Sequence, residues 1–112
     1  MLYHGLGSGK TASFLVPLLE KLGSHSATVG VRALVLSPTR ELAQQTLRVA
    51  RQMAKLTDLR FCLIVGGDSI HAQWGALSDN PDVIIATPGR LLDLYNKNAV
   101  KFKQLEILVL DE

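Results

Sequence analysis

Gly5-Leu6-Gly7-Ser8-Gly9-Lys10-Thr11 is the stretch on which the reading of this chain turns. It is a glycine-rich turn that ends in Gly-Lys-Thr and runs into an apolar, helix-forming segment. At Gly7, Ser8 and Gly9 the backbone N–H groups can approach an anion with little side-chain obstruction. The N-terminus of the helix that follows adds unpaired donors and a partial positive charge. Lys10 supplies a full charge for the outer phosphates, and the Thr11 hydroxyl can hold a Mg²⁺ ion. The stretch predicts a nucleoside triphosphate site. It departs from the usual pattern five residues before Gly9, where this chain has His4 in place of glycine.

The far end of the chain supplies the matching half of such a site. Ile107-Leu108-Val109-Leu110 is a continuous apolar run followed at once by Asp111-Glu112. It predicts a buried parallel strand that delivers two carboxylates to the C-terminal edge of a sheet, where α/β folds place their ligands. An acid there can hold Mg²⁺ while its neighbour orients an attacking water. Because only Met1-Leu2-Tyr3 precede the loop and the chain stops after its second acid, the sequence reads as a fragment of a longer protein.

Composition bounds the remaining possibilities. At 112 residues the chain makes at most one domain. Hydrophobic residues are 47% of it, in short runs that never approach the ~20 apolar residues of a membrane span. No membrane partner is expected. Net charge is only +2, so nucleic-acid binding must come from placed residues and not from bulk electrostatics. Cys62, the single cysteine, sits inside Phe61-Cys62-Leu63-Ile64-Val65 and reads as a buried, inert thiol that suits a reducing intracellular location.

Between the two ends the pattern alternates. Helical periodicity covers Thr11 to Leu22, with Pro17 bending and not ending it. Ala33 to Leu36 reads as a strand, Arg40 to Leu56 as a long amphipathic helix and Phe61 to Val65 as a strand. Ile70 to Leu77 is a helix, Val83 to Ala86 a strand, and Leu91 to Tyr95 the start of another helix. This order predicts an α/β fold: a parallel sheet flanked by helices, incomplete at both ends. Trp74 is expected to pack on a helix face, Arg48 and Arg51 to form a solvated face, and His4, His25 and His71 to be surface or loop residues without metal spacing.

Each strand hands over to a polar turn. Pro38-Thr39-Arg40-Glu41-Leu42-Ala43 follows the first, Gly66-Gly67-Asp68 the second and Thr87-Pro88-Gly89-Arg90 the third. In a parallel sheet these turns share an edge with the phosphate loop. Arginines, a threonine hydroxyl, glycine N–H groups and helix N-termini suit a phosphodiester backbone. Each turn alone is an ordinary helix cap or breaker; the set, in this order, is not.

That order resembles the first half of the core of a DEAD-box RNA helicase. Gly7 to Thr11 matches motif I, Pro38 to Ala43 motif Ia, Gly66-Gly67 the paired-glycine motif, and Thr87 to Arg90 motif Ib. Asp111-Glu112 matches the first two letters of motif II. The resemblance spans residues 1–112 as a partial ATP-binding, RecA-like first lobe. Connecting segments such as Val65-Gly66-Gly67-Asp68-Ser69 and Asn80-Pro81-Asp82-Val83-Ile84-Ile85-Ala86 are similar to nucleolar helicases of large-subunit ribosome assembly. Departures are His4, Gly5 and Leu6 in the phosphate loop and the absence of the Ala-Asp that completes motif II.

The resemblance implies ATP bound between this lobe and a missing second one. Lys10 would contact the β- and γ-phosphates, Thr11 and Asp111 would hold Mg²⁺, and Glu112 would activate the water. Pro38, Thr39, Arg40, Gly66, Gly67, Thr87, Pro88, Gly89 and Arg90 would track one RNA strand by its backbone. Lobe closure on ATP would peel a short duplex, and hydrolysis would reopen the cleft. Pre-ribosomal proteins are the implied partners, the nucleolus or nucleus the implied location, and the fragment alone is expected to be inactive. Two alternatives stay open on the residues alone: a P-loop NTPase of another class, and a catalytically inert RNA-binding fragment.

Overall fold

Val83-Ile84-Ile85-Ala86 is buried at every position, as a central strand covered on both faces must be. The computed structural model describes residues 2–5 and 11–111. Among them strands and helices alternate: β1 (Leu2–Gly5), α1 (Thr11–Leu22), β2 (Ala33–Leu36), α2 (Arg40–Met53) and β3 (Phe61–Ile64). They continue as α3 (Ile70–Leu77), β4 (Val83–Ala86), α4 (Pro88–Asn96) and β5 (Ile107–Asp111). The strands form one parallel sheet in the order β1-β5-β2-β4-β3. The predicted α/β sheet flanked by helices is therefore found.

The two-residue period of the strands divides the core. Ala33, Val35, Val83, Ile85, Ile107 and Val109 face a layer built from Phe14, Leu15 and Leu18 of α1 and Ala43, Leu47 and Ala50 of α2. Leu34, Cys62, Ile64, Ile84 and Ala86 face the opposite layer, with Leu91 and Leu94 of α4. Asp111 belongs by parity to the Ile107 and Val109 series, which turns it toward α1 and α2. Cys62 is buried as expected, and loss of solvent pushes its thiol up to about 11.

Four boundaries differ from the sequence reading. Leu2–Gly5 forms a strand, so the glycine-rich turn has a strand to hang from and Gly5 belongs to that strand. Four residues suffice because β5 supplies a complete parallel partner. Helix α2 ends at Met53, three residues short of Leu56: the Thr57 hydroxyl and N–H both donate to the Ala54 carbonyl and turn the chain. Leu56 is left exposed. Strand β3 stops at Ile64, because the Val65 carbonyl accepts from the Gln73 side chain. Helix α4 starts at Pro88, whose fixed φ and missing N–H suit a first turn, so Pro88-Gly89 opens the helix and does not break it. Trp74 is 42% exposed, while Gln73 beside it is the buried residue of α3. Helix α1 runs through Pro17, as expected.

The N-terminal edge of the sheet is closed by Asp82, which is 1% exposed. Its carboxylate accepts from Arg60 N at 2.9 Å, Ser26 N at 3.1 Å and His25 Nδ1 at 2.7 Å. Arg32 Nη1 approaches at 3.4 Å and also donates to the Ser24 carbonyl, while Nη2 donates to the Leu22 carbonyl and Nε to Glu106. These bonds pin the loop between α1 and β2 and leave the other edge for function.

Candidate functional site

Parallel strands bring their C-terminal ends to one edge, and the loops that leave them meet there. Gly5 pairs with Asp111, so the strand leading into the glycine-rich turn ends beside the first acid. Leu36 pairs with both Leu110 and Ala86, and Ile64 pairs with Ala86. Ser37-Pro38-Thr39-Arg40, Val65-Gly66-Gly67-Asp68 and Thr87-Pro88-Gly89-Arg90 therefore leave the same edge. Gly7, Ser8, Gly9, Lys10 and Glu112 lie outside the described residues. Thr11 is buried at the start of α1.

Asp111 is 2% exposed at the end of β5. Burial pushes its carboxyl above the ordinary value by penalising the charged form; a hydrogen bond from Thr46 opposes the rise without cancelling it. Thr46 Oγ1, itself buried on α2, donates to Asp111 Oδ2 at 3.3 Å. Asp111 Oδ1 is buried without a hydrogen-bond partner among the described residues, and so is Ser37 Oγ. The register sets Ser37 and Asp111 side by side, one residue past the Leu36–Leu110 pair. Buried polar oxygens are ordinarily hydrogen-bonded, so these two mark the edge as a candidate site.

The other three turns are clasped together. Arg40 Nη1 donates to the Gly66 carbonyl at 3.1 Å and Nη2 pairs with Asp68 Oδ1 at 2.7 Å. Arg90 Nη1 donates to the Asp68 carbonyl and to Gln73 Oε1, both at 2.9 Å. Gln73 Nε2 donates in turn to the Val65 carbonyl at 2.8 Å. Gly67 sits under Arg40 with φ +88°, where a Cβ would stand 2.5 Å from Arg40 Nη1. Only glycine combines that backbone with that clearance. Thr39 caps α2 by accepting from Leu42 N at 3.1 Å. Pro38, Thr39, Gly66, Gly67, Pro88 and Gly89 are exposed, and Arg40, Thr87 and Arg90 are half-buried.

Two residues of this edge escape a reading of the sequence. Thr46 lies three residues after Ala43 and four before Ala50, on the apolar stripe of α2. Gln73 lies three after Ile70 and four before Leu77, on the inner side of α3. The signal in both cases is a polar residue at a core position, which must find a hydrogen-bond partner when buried. Nothing in the sequence names the partner.

The family model of DEAD/DEAH box helicases matches residues 2–112. The chain is 54% identical over 107 residues to DEAD-box ATP-dependent RNA helicase 29 of Oryza sativa subsp. indica, covering 95% of this chain and 13% of that protein. It is 54% identical over 106 residues to ATP-dependent RNA helicase DBP10 of Kluyveromyces lactis, covering 95% of this chain and 11% of the relative. Among solved structures, the yeast DEAD-box splicing factor Prp28 superposes with a TM-score of 0.86 at 36% identity, over 99% of this chain and 27% of its own. A DEAD box protein from Methanococcus jannaschii gives 0.85 at 36% identity, over 99% and 30%. The chain thus spans 11–14% of the length of the curated relatives it matches. With the fold, the motif order and these likenesses in agreement, the chain belongs to the DEAD/DEAH box helicase family.

Proposed function

We propose that this chain is part of the first lobe of an ATP-dependent RNA helicase, in which one sheet edge serves both the nucleotide and the RNA strand. The observation that carries the reading is the buried Asp111, with one carboxylate oxygen lacking a hydrogen-bond partner among the described residues, at the end of the strand that pairs with β1. ATP would lie over the glycine-rich turn, with Gly7, Ser8 and Gly9 offering N–H groups and Lys10 meeting the β- and γ-phosphates.

Thr11 and Asp111 offer a hydroxyl and a carboxylate, hard oxygen donors that fit Mg²⁺. Among the described residues there is no cluster of three or more His, Cys, Asp or Glu able to hold a metal. That suits an ion that takes one or two protein oxygens and completes its shell with phosphate and water. When bound, Mg²⁺ would neutralise charge on the β- and γ-phosphate oxygens. Thr46 and the buried setting keep the Asp111 carboxylate in one orientation, and Glu112 would orient the attacking water.

The RNA strand would run along the clasped turns, held by its backbone. Pro38, Thr39 and Arg40, Gly66 and Gly67, and Thr87, Pro88, Gly89 and Arg90 would line its path. A Cβ added at Gly89 would meet nothing within 4 Å, so the fold itself does not demand glycine there. That supports close approach of a ligand to the first turn of α4. A second lobe would close on ATP and complete the cleft. The similarity of the connecting segments to nucleolar helicases supports a role in ribosome assembly, with pre-ribosomal proteins as partners and the nucleolus as location.

The experiment is RNA-stimulated ATP hydrolysis by the full-length protein. Asp111→Asn is expected to remove the stimulated rate while raising the melting temperature, because a buried ionised acid gives way to a neutral isostere. Stimulated hydrolysis at the wild-type rate in that variant would refute the assignment of Asp111.

A further inference from the structure

We propose that Gln73 is a positioning residue for RNA binding, one that holds the Arg90 guanidinium in place for a backbone phosphate. The inference rests on the strand-binding reading of this edge given above and adds to it a residue outside the turns.

Gln73 is 5% exposed and is the one buried residue of α3. A buried amide is costly unless both its ends are bonded, and here both are. Its orientation is fixed by chemistry: the Val65 carbonyl can only accept and Arg90 can only donate, so Nε2 must face the first and Oε1 the second. The side chain therefore reads as a strut between the end of β3 and the first turn of α4.

What the strut does to Arg90 follows from counting donors. Nη1 carries two hydrogens, and they go to the Asp68 carbonyl and Gln73 Oε1, both at 2.9 Å. Nε and Nη2 have no hydrogen-bond partner among the described residues, and no carboxylate pairs with Arg90 there. Both Nη1 contacts are neutral carbonyl oxygens, so the guanidinium keeps its net charge. Nε and Nη2 form the planar fork that takes phosphate with two parallel hydrogen bonds. Arg40 is used differently: Nη1 holds Gly66 and Nη2 holds the Asp68 carboxylate, so both ends of its guanidinium brace the turn. Arg90 keeps a fork, and Gln73 aims it.

The test is RNA affinity of the full-length protein, measured by fluorescence anisotropy with a labelled single-stranded RNA and a non-hydrolysable ATP analogue. Gln73→Leu is expected to weaken RNA binding about tenfold, the scale of one hydrogen bond to a charged group. Affinity for a fluorescent ADP should stay as in the wild type. Arg90→Lys, which keeps the charge and loses the fork, should weaken RNA binding similarly. In the Arg90→Lys background, Gln73→Leu should bring no further loss, because its effect passes through the guanidinium.

Wild-type RNA affinity in Gln73→Leu beside a weakened Arg90→Lys overturns the positioning role alone. A full additional loss in the double variant, or parallel loss of RNA and ADP binding, overturns it too and marks Gln73 as merely structural. Wild-type RNA affinity in Arg90→Lys itself overturns the strand-binding reading beneath it. Should Gln73→Leu not fold, Gln73→Met, unbranched and of equal length, carries the same comparison.

Discussion

Thr46 Oγ1 reaches across from the middle of α2 to donate to Asp111 Oδ2 at 3.3 Å, in a place closed to solvent. The bond ties the carboxylate to the helix that opens with Pro38-Thr39-Arg40, so one helix touches both halves of the proposed edge. Thr46→Val keeps the shape and removes the hydroxyl. Asp111 then loses the hydrogen bond that partly offsets its desolvation, and its carboxyl should titrate still higher. The acidic limb of the pH profile of kcat/KM for RNA-stimulated ATP hydrolysis should move to higher pH. A drop of about 1–2 kcal/mol in unfolding free energy is also expected, from a buried acceptor left without its donor. An unmoved acidic limb would separate Thr46 from the titration.

Gly67 is held at φ +88° beneath Arg40. Gly67→Ala asks an L-residue to adopt a left-handed conformation and sets a methyl against the guanidinium. The strain should cost about 1 kcal/mol or more, read from a urea transition. Arg40 must also swing away, loosening Gly66 and Asp68, so RNA affinity should fall together with stability. Retention of both would mean that the turn tolerates the methyl by shifting.

Asp82 provides a control remote from the site. Desolvation by burial pushes its carboxyl up, but hydrogen bonds from Arg60 N, His25 and Ser26 N, with the His25 charge, outweigh that and hold it below the ordinary value of 3.8. A carboxyl lowered by folding binds fewer protons folded than unfolded, so it stabilises the native state above its unfolded pKa. That stability should drain away as pH falls below about 4 toward the folded value, seen as a falling urea midpoint. Asp82→Asn should flatten this dependence. Asp82→Ala, which strands several donors at a buried point, should cost about 2–4 kcal/mol. Nucleotide and RNA affinities per folded molecule should be unaffected, since Asp82 closes the opposite edge of the sheet.

The chemistry at each strand end was legible because it is local. Thr39 as a cap, Gly66-Gly67 as a turn and Asp111 after an apolar run each declare themselves within a few residues. The apolar runs likewise declare buried parallel strands, since two covered faces leave no polar alternation. Boundaries were less legible: Pro88-Gly89 reads as a breaker but opens α4, and the Thr57 turn stops α2 before Leu56. In both places the outcome depends on hydrogen bonds that propensity does not specify.

The sequence by itself determined that strands and helices alternate, that glycines, lysine, threonine and acids stand at strand ends, and thus the family. Only the tertiary structure decided the strand order that seats β5 between β1 and β2, and so puts Gly5 against Asp111. It alone gave Thr46 to Asp111 across 65 residues and Gln73 to Arg90 across 17. The reason is physical. A buried polar side chain must be satisfied, but which atom satisfies it is set by the packing of separate elements and is written in no local stretch of chain.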